Sequence, residues 1–271
     1  PALAAADIDR DGDRDLIVTD TLDARLLLLL NDGRGRFAES PNSLPVGGRG
    51  VVVFNNGRAR HLLHLSEPPI LYTVADGQLL LTKRLAFGGV PSCATALDAD
   101  GDGDMDLFIG GGSSLGQFPV AAPSQLFINH GGDFFGAPLA KAGLVTGCAA
   151  GDIDADGDTD LVLAREWGSV MLLLNNGGTF ADASEAWGLA PHTGLWHGVA
   201  LADFDGDGRL DIAASNTGRN GYGNSTGCST ESSTARTSAM SLVTPVEVSL
   251  WTTRTAWMEW SWSAFSRSRT A

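Results

Sequence analysis

Short apolar runs recur along the chain, and each gives way to a polar turn rich in Asp, Asn and Gly. Leu16-Ile-Val, Leu26 through Leu30, Ile70-Leu-Tyr, Leu107-Phe-Ile, Leu126-Phe-Ile, Leu161-Val-Leu and Met171-Leu-Leu-Leu are too brief for amphipathic helices and read as buried strands. Turns follow at Asn31-Asp32-Gly33, Asp76-Gly77, Asn129-His-Gly131-Gly132 and Asn175-Asn176-Gly177-Gly178, and apolar residues resume after each. Asn and Gly tolerate the positive φ of tight hairpins, so these segments predict β-hairpins. The five leucines at 26–30 fall far short of the roughly 20 residues of a membrane span.

A second kind of turn carries candidate chemistry. Asp-x-Asp-x-Asp-Gly-x-x-Asp occurs at Asp7, Asp9, Asp11, Gly12 and Asp15; at Asp98, Asp100, Asp102, Gly103 and Asp106; at Asp152, Asp154, Asp156, Gly157 and Asp160; and at Asp203, Asp205, Asp207, Gly208 and Asp211. Carboxylates at positions 1, 3, 5 and 9 crowd like charges unless a cation sits among them. Calcium takes six to eight oxygens at about 2.3–2.6 Å and suits such a donor set. Position 7 is Asp13, Asp104, Asp158 or Arg209, and a backbone-carbonyl ligand there explains why an arginine is tolerated. An EF-hand needs a bidentate Glu at position 12 and flanking helices. Position 12 here is Val18, Ile109, Leu163 or Ala214, inside an apolar run. Each loop therefore reads as the tip of a β-hairpin, and the chain is expected to take about four Ca2+.

The loops start at 7, 98, 152 and 203, so the last three are 54 and 51 residues apart. The first gap is nearly two periods and holds a degenerate unit, Val53-Phe-Asn55-Asn-Gly57-Arg-Ala-Arg-His61-Leu-Leu, without carboxylates. Two hairpins per unit make a four-stranded antiparallel sheet, and a period of about 40–55 residues marks a propeller blade. The predicted fold is all-β: an incomplete β-propeller of about five blade units, one lacking a metal loop, over residues 1–220. The opening on a blade strand without a leader suggests a fragment of a larger propeller.

Composition narrows the partners. A net charge of −14 disfavours nucleic acid and anionic membranes. Cysteine is sparse. Cys93 and Cys148 precede loops on equivalent strands of consecutive units and read first as small buried residues, with a disulfide as the alternative; the third is Cys228. Beyond Asn220 the character changes. Residues 221–271 are rich in Ser, Thr and Arg, hold four of the seven tryptophans, and show neither loop nor hairpin signals. They read as a linker, an irregular or disordered tail, or the product of a frame error, because Thr252–Trp262 in a neighbouring frame can spell an Asp-x-Asp-Gly-like segment.

Together the four loops, the blade ending Leu173–Leu189 (Leu-Leu-Asn-Asn-Gly-Gly-Thr-Phe-Ala-Asp-Ala-Ser-Glu-Ala-Trp-Gly-Leu), Gly110-Gly-Gly and Gly198–Ile212 resemble the FG-GAP/VCBS repeat family. Its integrin-α-type propeller, and within it the cartilage-acidic-protein/ASPIC-UnbV-like branch, is the nearest likeness over about residues 1–220. The resemblance implies a secreted, cell-surface or periplasmic protein that adheres to or recognises a protein or carbohydrate, with calcium in a structural role.

The leading expectation is thus a calcium-stabilised binding module and not an enzyme. A propeller-type hydrolase or lyase acting on polysaccharide or ester substrates is the alternative. Its candidate residues are thin: His61 and His64 in the degenerate unit, His130 in a turn, and His192 and His197 flanking Trp196, which could together line a polar pocket. None repeats a nucleophile–base or metal-binding spacing.

Overall fold

The computed structural model describes residues 2–20, 23–114, 116–139, 141–217, 239–244 and 247–250. Among them every regular element is a β-strand, so no helix is long and apolar enough to cross a membrane. The chain forms two compact units, divided after Cys148.

The first unit holds three four-stranded antiparallel sheets, each a propeller blade. They are β1 (Ala2–Ala6), β2 (Asp15–Asp20), β3 (Arg25–Asn31) and β4 (Phe37–Glu39); β5 (Val51–Asn56), β6 (Ala59–His64), β7 (Ile70–Ala75) and β8 (Gln78–Arg84); and β9 (Pro91–Leu97), β10 (Asp106–Gly111), β11 (Ser124–His130) and β12 (Asp133–Leu139). Strand order within each blade follows chain order, as hairpin after hairpin requires. The degenerate second unit keeps its hairpin, but the nine-residue loop has shrunk to a tight turn: Asn56 pairs with Ala59 across Gly57, whose φ is +56°.

Successive side chains of a strand point to opposite faces. Here both faces are covered, because blades stack face to face. Leu62 packs towards the first blade, in a cluster with Ile17, Leu26, Leu28, Tyr72 and Val74. Its neighbour Leu63 packs the other way, with Leu71, Leu107, Ile109 and Phe127 of the second and third blades. This is why the central strands read as continuous apolar runs rather than alternating ones. Each such leucine contributes about 1.5–3 kcal/mol on burial. The outer strands β4 and β8 are largely exposed.

The second unit contains most of the fourth sheet, which has eight strands and does not separate into the fourth and fifth blade units that the repeats predict. Strand β13 (Leu144–Gly151) pairs with β14 (Asp160–Gly168), followed by β15 (Met171–Asn176) and β16 (Thr179–Asp182). β14 also pairs with β17 (Gly194–Ala202), which joins that sheet to β18 (Asp211–Asn216), β19 (Ala239–Thr244) and β20 (Glu247–Leu250). Val162, Ala164 and Leu172 pack on Trp196, Ile212 and Ala214 to form this unit's core.

Strands β19 and β20 fall where the sequence predicts no hairpin. The free edge of β18 presents a row of backbone groups that any extended segment can satisfy, and Ala239–Thr244 does so in register from Asn216↔Ala239 to Ile212↔Val243. Backbone pairing asks less of sequence than a turn signature does. The rest of the expectation for residues 221–271 lies outside the described residues.

Candidate metal centres

All four Asp loops close the same way. Position 1 directly follows a strand, and position 9 opens the next: Asp15 starts β2, Asp106 β10, Asp160 β14 and Asp211 β18. The residue before position 1 pairs with position 9, as in Ala6↔Asp15, Leu97↔Asp106 and Ala202↔Asp211. The turn needs a left-handed backbone at two places. The position-6 glycines Gly12, Gly103, Gly157 and Gly208 have φ of 96°, 88°, 98° and 86°. Position 4 is left-handed too, at Arg10 (67°), Gly101 (76°), Ala155 (64°) and Gly206 (78°). Sequence reasoning found the first and missed the second, although glycine at two of the four copies was the available signal.

Backbone amides inside the loop hold the carboxylates in place. Asp98 accepts from Gly101 N (2.9 Å) and Gly103 N (3.0 Å), and Asp203 from Gly206 N (2.7 Å) and Gly208 N (2.9 Å). Position 5 accepts from the position-7 amide in every copy, at 2.9, 2.8, 2.9 and 2.9 Å. These bonds turn the side chains inward. Carboxylate oxygens of Asp7, Asp9 and Asp15 come within 4.8 Å of one another, as do those of Asp98, Asp100 and Asp106, of Asp152, Asp154 and Asp160, and of Asp203, Asp205 and Asp211.

The arrangement suits a hard cation. Among the described residues no lysine or arginine pairs with a loop aspartate, so the clustered charge lacks a protein counter-ion. Partial desolvation, followed by the fields of neighbouring aspartates, raises the pKa of Asp9; the same two causes lead for Asp154. Several carboxylates converging on one point with hydroxyl- and nitrogen-free chemistry match oxygen-seeking ions. Positions 1, 3 and 9 meet in all four loops. Asp11, Asp102, Asp156 and Asp207 at position 5 stand beside them, each held by the position-7 amide of its own loop.

Position 9 does more than offer a ligand. Asp15, Asp106, Asp160 and Asp211 are buried. One oxygen of each accepts from the position-2 amide: Ile8 N at 2.7 Å, Ala99 N at 2.8 Å, Ile153 N at 2.8 Å and Phe204 N at 3.0 Å. The other oxygen of the first three accepts from the end of the third strand, at Asn31 N (2.9 Å), Asn129 N (2.7 Å) and Asn175 N (2.8 Å). Desolvation raises the pKa of Asp106, Asp160 and Asp211, while those amide bonds pull it back. Position 2 is the apolar counterpart of this anchor: Ile8, Ala99 and Ile153 are buried.

The side chain at position 7 is also occupied, which the carbonyl reading of that position left out. Asp158 Oδ2 accepts from Gly177 N at 2.8 Å, and Asp104 Oδ2 from Gly131 N at 3.3 Å. Asp13 lies so close to Gly33 that a Cβ there would sit 2.4 Å from its oxygen. The aspartates thus brace the Asn-Gly turn of the following hairpin. Arg209 breaks this pattern and instead lines an open cleft of about 280 Å3 with Ile153, Asp154, Ala186 and Trp187.

A profile described as "FG-GAP-like repeat" matches residues 98–163 and 152–214. Residues 98–214 carry FG-GAP-like repeats. The matched span starts at one Asp loop, takes in a second and ends just past a third, so the geometry above is the geometry of these repeats. The profile does not address the cartilage-acidic-protein branch. Sequence comparison with curated proteins finds no significant match. Among solved structures the chain is similar to BBS1N in complex with ARL6DN, with a TM-score of 0.54 and 11% identity over 92% of this chain and 78% of that one. It is also similar to the V. cholerae biofilm matrix protein Bap1, with a TM-score of 0.49 and 16% identity over 80% of this chain. The chain spans about a third of the length of Bap1, 34%. At 11% identity the likeness to BBS1N speaks for the fold alone.

The histidines outside the FG-GAP-like loops are placed separately. His61 stacks on Phe54 with ring centroids 5.4 Å apart, and its Nδ1 lies 3.3 Å from Thr73 Oγ1. His64 is fully buried and neither ring nitrogen has a partner. Burial drives its pKa down to about 4. Trp196 is buried in the core and donates from Nε1 to the His192 carbonyl at 3.1 Å, while His197 is exposed and bonds Thr217 Oγ1. Trp196 thus lies in the core and His197 at the surface. His130 was unexpected: it lies beside the second Asp loop, its Nδ1 3.9 Å from Asp102 Oδ2.

Proposed function

We propose that the protein is an extracytoplasmic, calcium-stabilised β-propeller module that recognises a protein or glycan ligand. The observation that carries this reading is the repetition of one loop four times, each gathering inward-turned carboxylates that, among the described residues, pair with no lysine or arginine. Calcium has a structural role: an ion in each loop joins the end of one strand to the start of the next through positions 1, 3, 5 and 9, with the position-7 carbonyl as a further oxygen. Four ions would reduce the net charge from −14 to about −6. Extracellular modules bind calcium at about 10⁻⁴–10⁻³ M, so loops of this kind fill only where calcium is abundant. The FG-GAP-like repeats support the same setting, and partners would meet the connecting loops presented by the rigid blades. Nothing in the histidine placements favours an enzyme over a binder.

Isothermal titration with calcium, followed by a glycan and protein array probed in calcium and in chelator, tests the reading. The expected result is about four sites per chain and array binding that is lost in chelator. No binding at millimolar calcium would overturn the metal assignment. Turnover on a polysaccharide or ester panel would replace the binding module with the enzyme.

A further inference from the structure

Cys93 on β9 and Cys148 on β13 occupy equivalent positions in consecutive repeats, and the fold brings their side chains together. The Cys148 thiol is within hydrogen-bonding reach of Cys93. The surroundings hold that contact in place. Ser92 Oγ, next to Cys93, donates to the Val145 carbonyl of β13 at 2.5 Å, tying the two strands one residue away from the sulfur. Gly110 on β10, paired with Cys93, carries no side chain where the Cys93 sulfur and Val145 of β13 already pack together: a Cβ there would lie 2.6 Å from Cys93 Sγ and 2.9 Å from Val145 Cγ1. Both residues are partly exposed as residues, although the Cys148 thiol itself is turned inward.

We propose that Cys93 and Cys148 form a disulfide that staples β9 to β13. The two thiols, already within hydrogen-bonding reach, have to close to the bonded separation of about 2.0 Å. With a low-molecular-weight disulfide such as oxidised glutathione as oxidant, one cysteine thiolate attacks a glutathione sulfur and releases one glutathione thiolate. The second cysteine thiolate then attacks the protein-bound sulfur of the mixed disulfide and releases the other. The cysteines lose two electrons and two protons, and the oxidant leaves as two reduced glutathiones. Burial and the neighbouring thiol push the Cys148 pKa well up, so the reaction is slow at neutral pH and speeds as pH rises. The crosslink closes a long loop in the unfolded chain, which is where a disulfide has its largest effect on stability. It needs no metal, so it would hold these strands when calcium is withdrawn. The inference stands whether or not the loops bind calcium.

The test uses the full chain with Cys228→Ser, which removes the third thiol. The protein is incubated with oxidised glutathione at mildly alkaline pH, trapped with a thiol-blocking reagent, digested without reductant and mapped by mass spectrometry. The expected result is one linked peptide pair containing Cys93 and Cys148, lighter by two hydrogen atoms, in monomeric protein. A higher urea midpoint for the oxidised form than for the same sample after reduction is expected with it. Two blocked thiols, stable glutathione adducts, or crosslinks only between chains would each overturn the proposal. Cys93→Ser should abolish the linked pair. Because that variant can fail to fold, the Cys228→Ser peptide map is the deciding measurement.

Discussion

Replacing Asp160 with alanine separates the two roles that position 9 combines. The carboxylate is fully buried and takes two backbone amides, Ile153 N and Asn175 N, both at 2.8 Å. Alanine removes both acceptors, and each buried amide left unsatisfied costs about 1–3 kcal/mol. Part of that is returned, because a carboxylate whose pKa is raised by desolvation is itself costly to keep charged. A net loss of about 2–4 kcal/mol is expected in chelator, where no metal contributes. Asp156, at position 5 of the same loop, is exposed; it accepts from the Asp158 amide at 2.9 Å and meets the Asp154 carboxylate. Its alanine variant should change stability in chelator by no more than about 0.5 kcal/mol. In calcium at ten times the dissociation constant, it should lose the roughly 1.4 kcal/mol that one occupied site contributes. Urea unfolding of both variants, with and without calcium, measures the difference. Equal losses for the two variants in chelator would show that position 9 is not an anchor, and the reasoning about its amides would fall.

The remaining predictions concern the core, the turn and the degenerate unit. His64 has a folded pKa of about 4 against 6.5 when exposed, so the unfolded chain takes up the proton first as pH falls. Its contribution is fully present above pH 6.5 and is lost between 6.5 and 4, to a limit of about 3 kcal/mol; the acid limb of a stability–pH curve should flatten in His64→Leu. Gly48 lies against that ring, and a Cβ there would sit 2.0 Å from His64 Nε2, so Gly48→Ala should lower the urea midpoint by an overpacking cost of about 1–3 kcal/mol. Gly157→Ala, at φ +98° with nothing nearby to obstruct a methyl, should destabilise through backbone strain alone, by about 1–2 kcal/mol. Asn55→Ala should leave the calcium stoichiometry unchanged in titration, because the second blade turns without a carboxylate loop; loss of an ion would mean the degenerate unit was misread.

Local signals carried most of the fold. A nine-residue loop with fixed Asp and Gly spacing, a hairpin turn of Asn and Gly, and apolar runs of strand length are short-range features, each set by φ preference or side-chain chemistry within a few residues. They sufficed for four-stranded blades, for the repeat period and for the four candidate metal centres. Tertiary structure decided what depends on residues far apart in the chain. The burial of Asp15, Asp106 and Asp160 under two amides, one from 15 to 23 residues further on, is set by the register of the third strand, which no local pattern records. The position-7 aspartates reach the next hairpin only because the blade folds back on itself. Left-handed backbone at Arg10 and Ala155 was hidden because side chains other than glycine accept it when loop hydrogen bonds compensate. Strands β19 and β20 form because β18 offers an open edge, a demand made by the sheet rather than by their own residues. Cys93 and Cys148, 55 residues apart in sequence, meet for the same kind of reason: equivalent strands of successive blades lie close, and only packing shows which side chains on them touch.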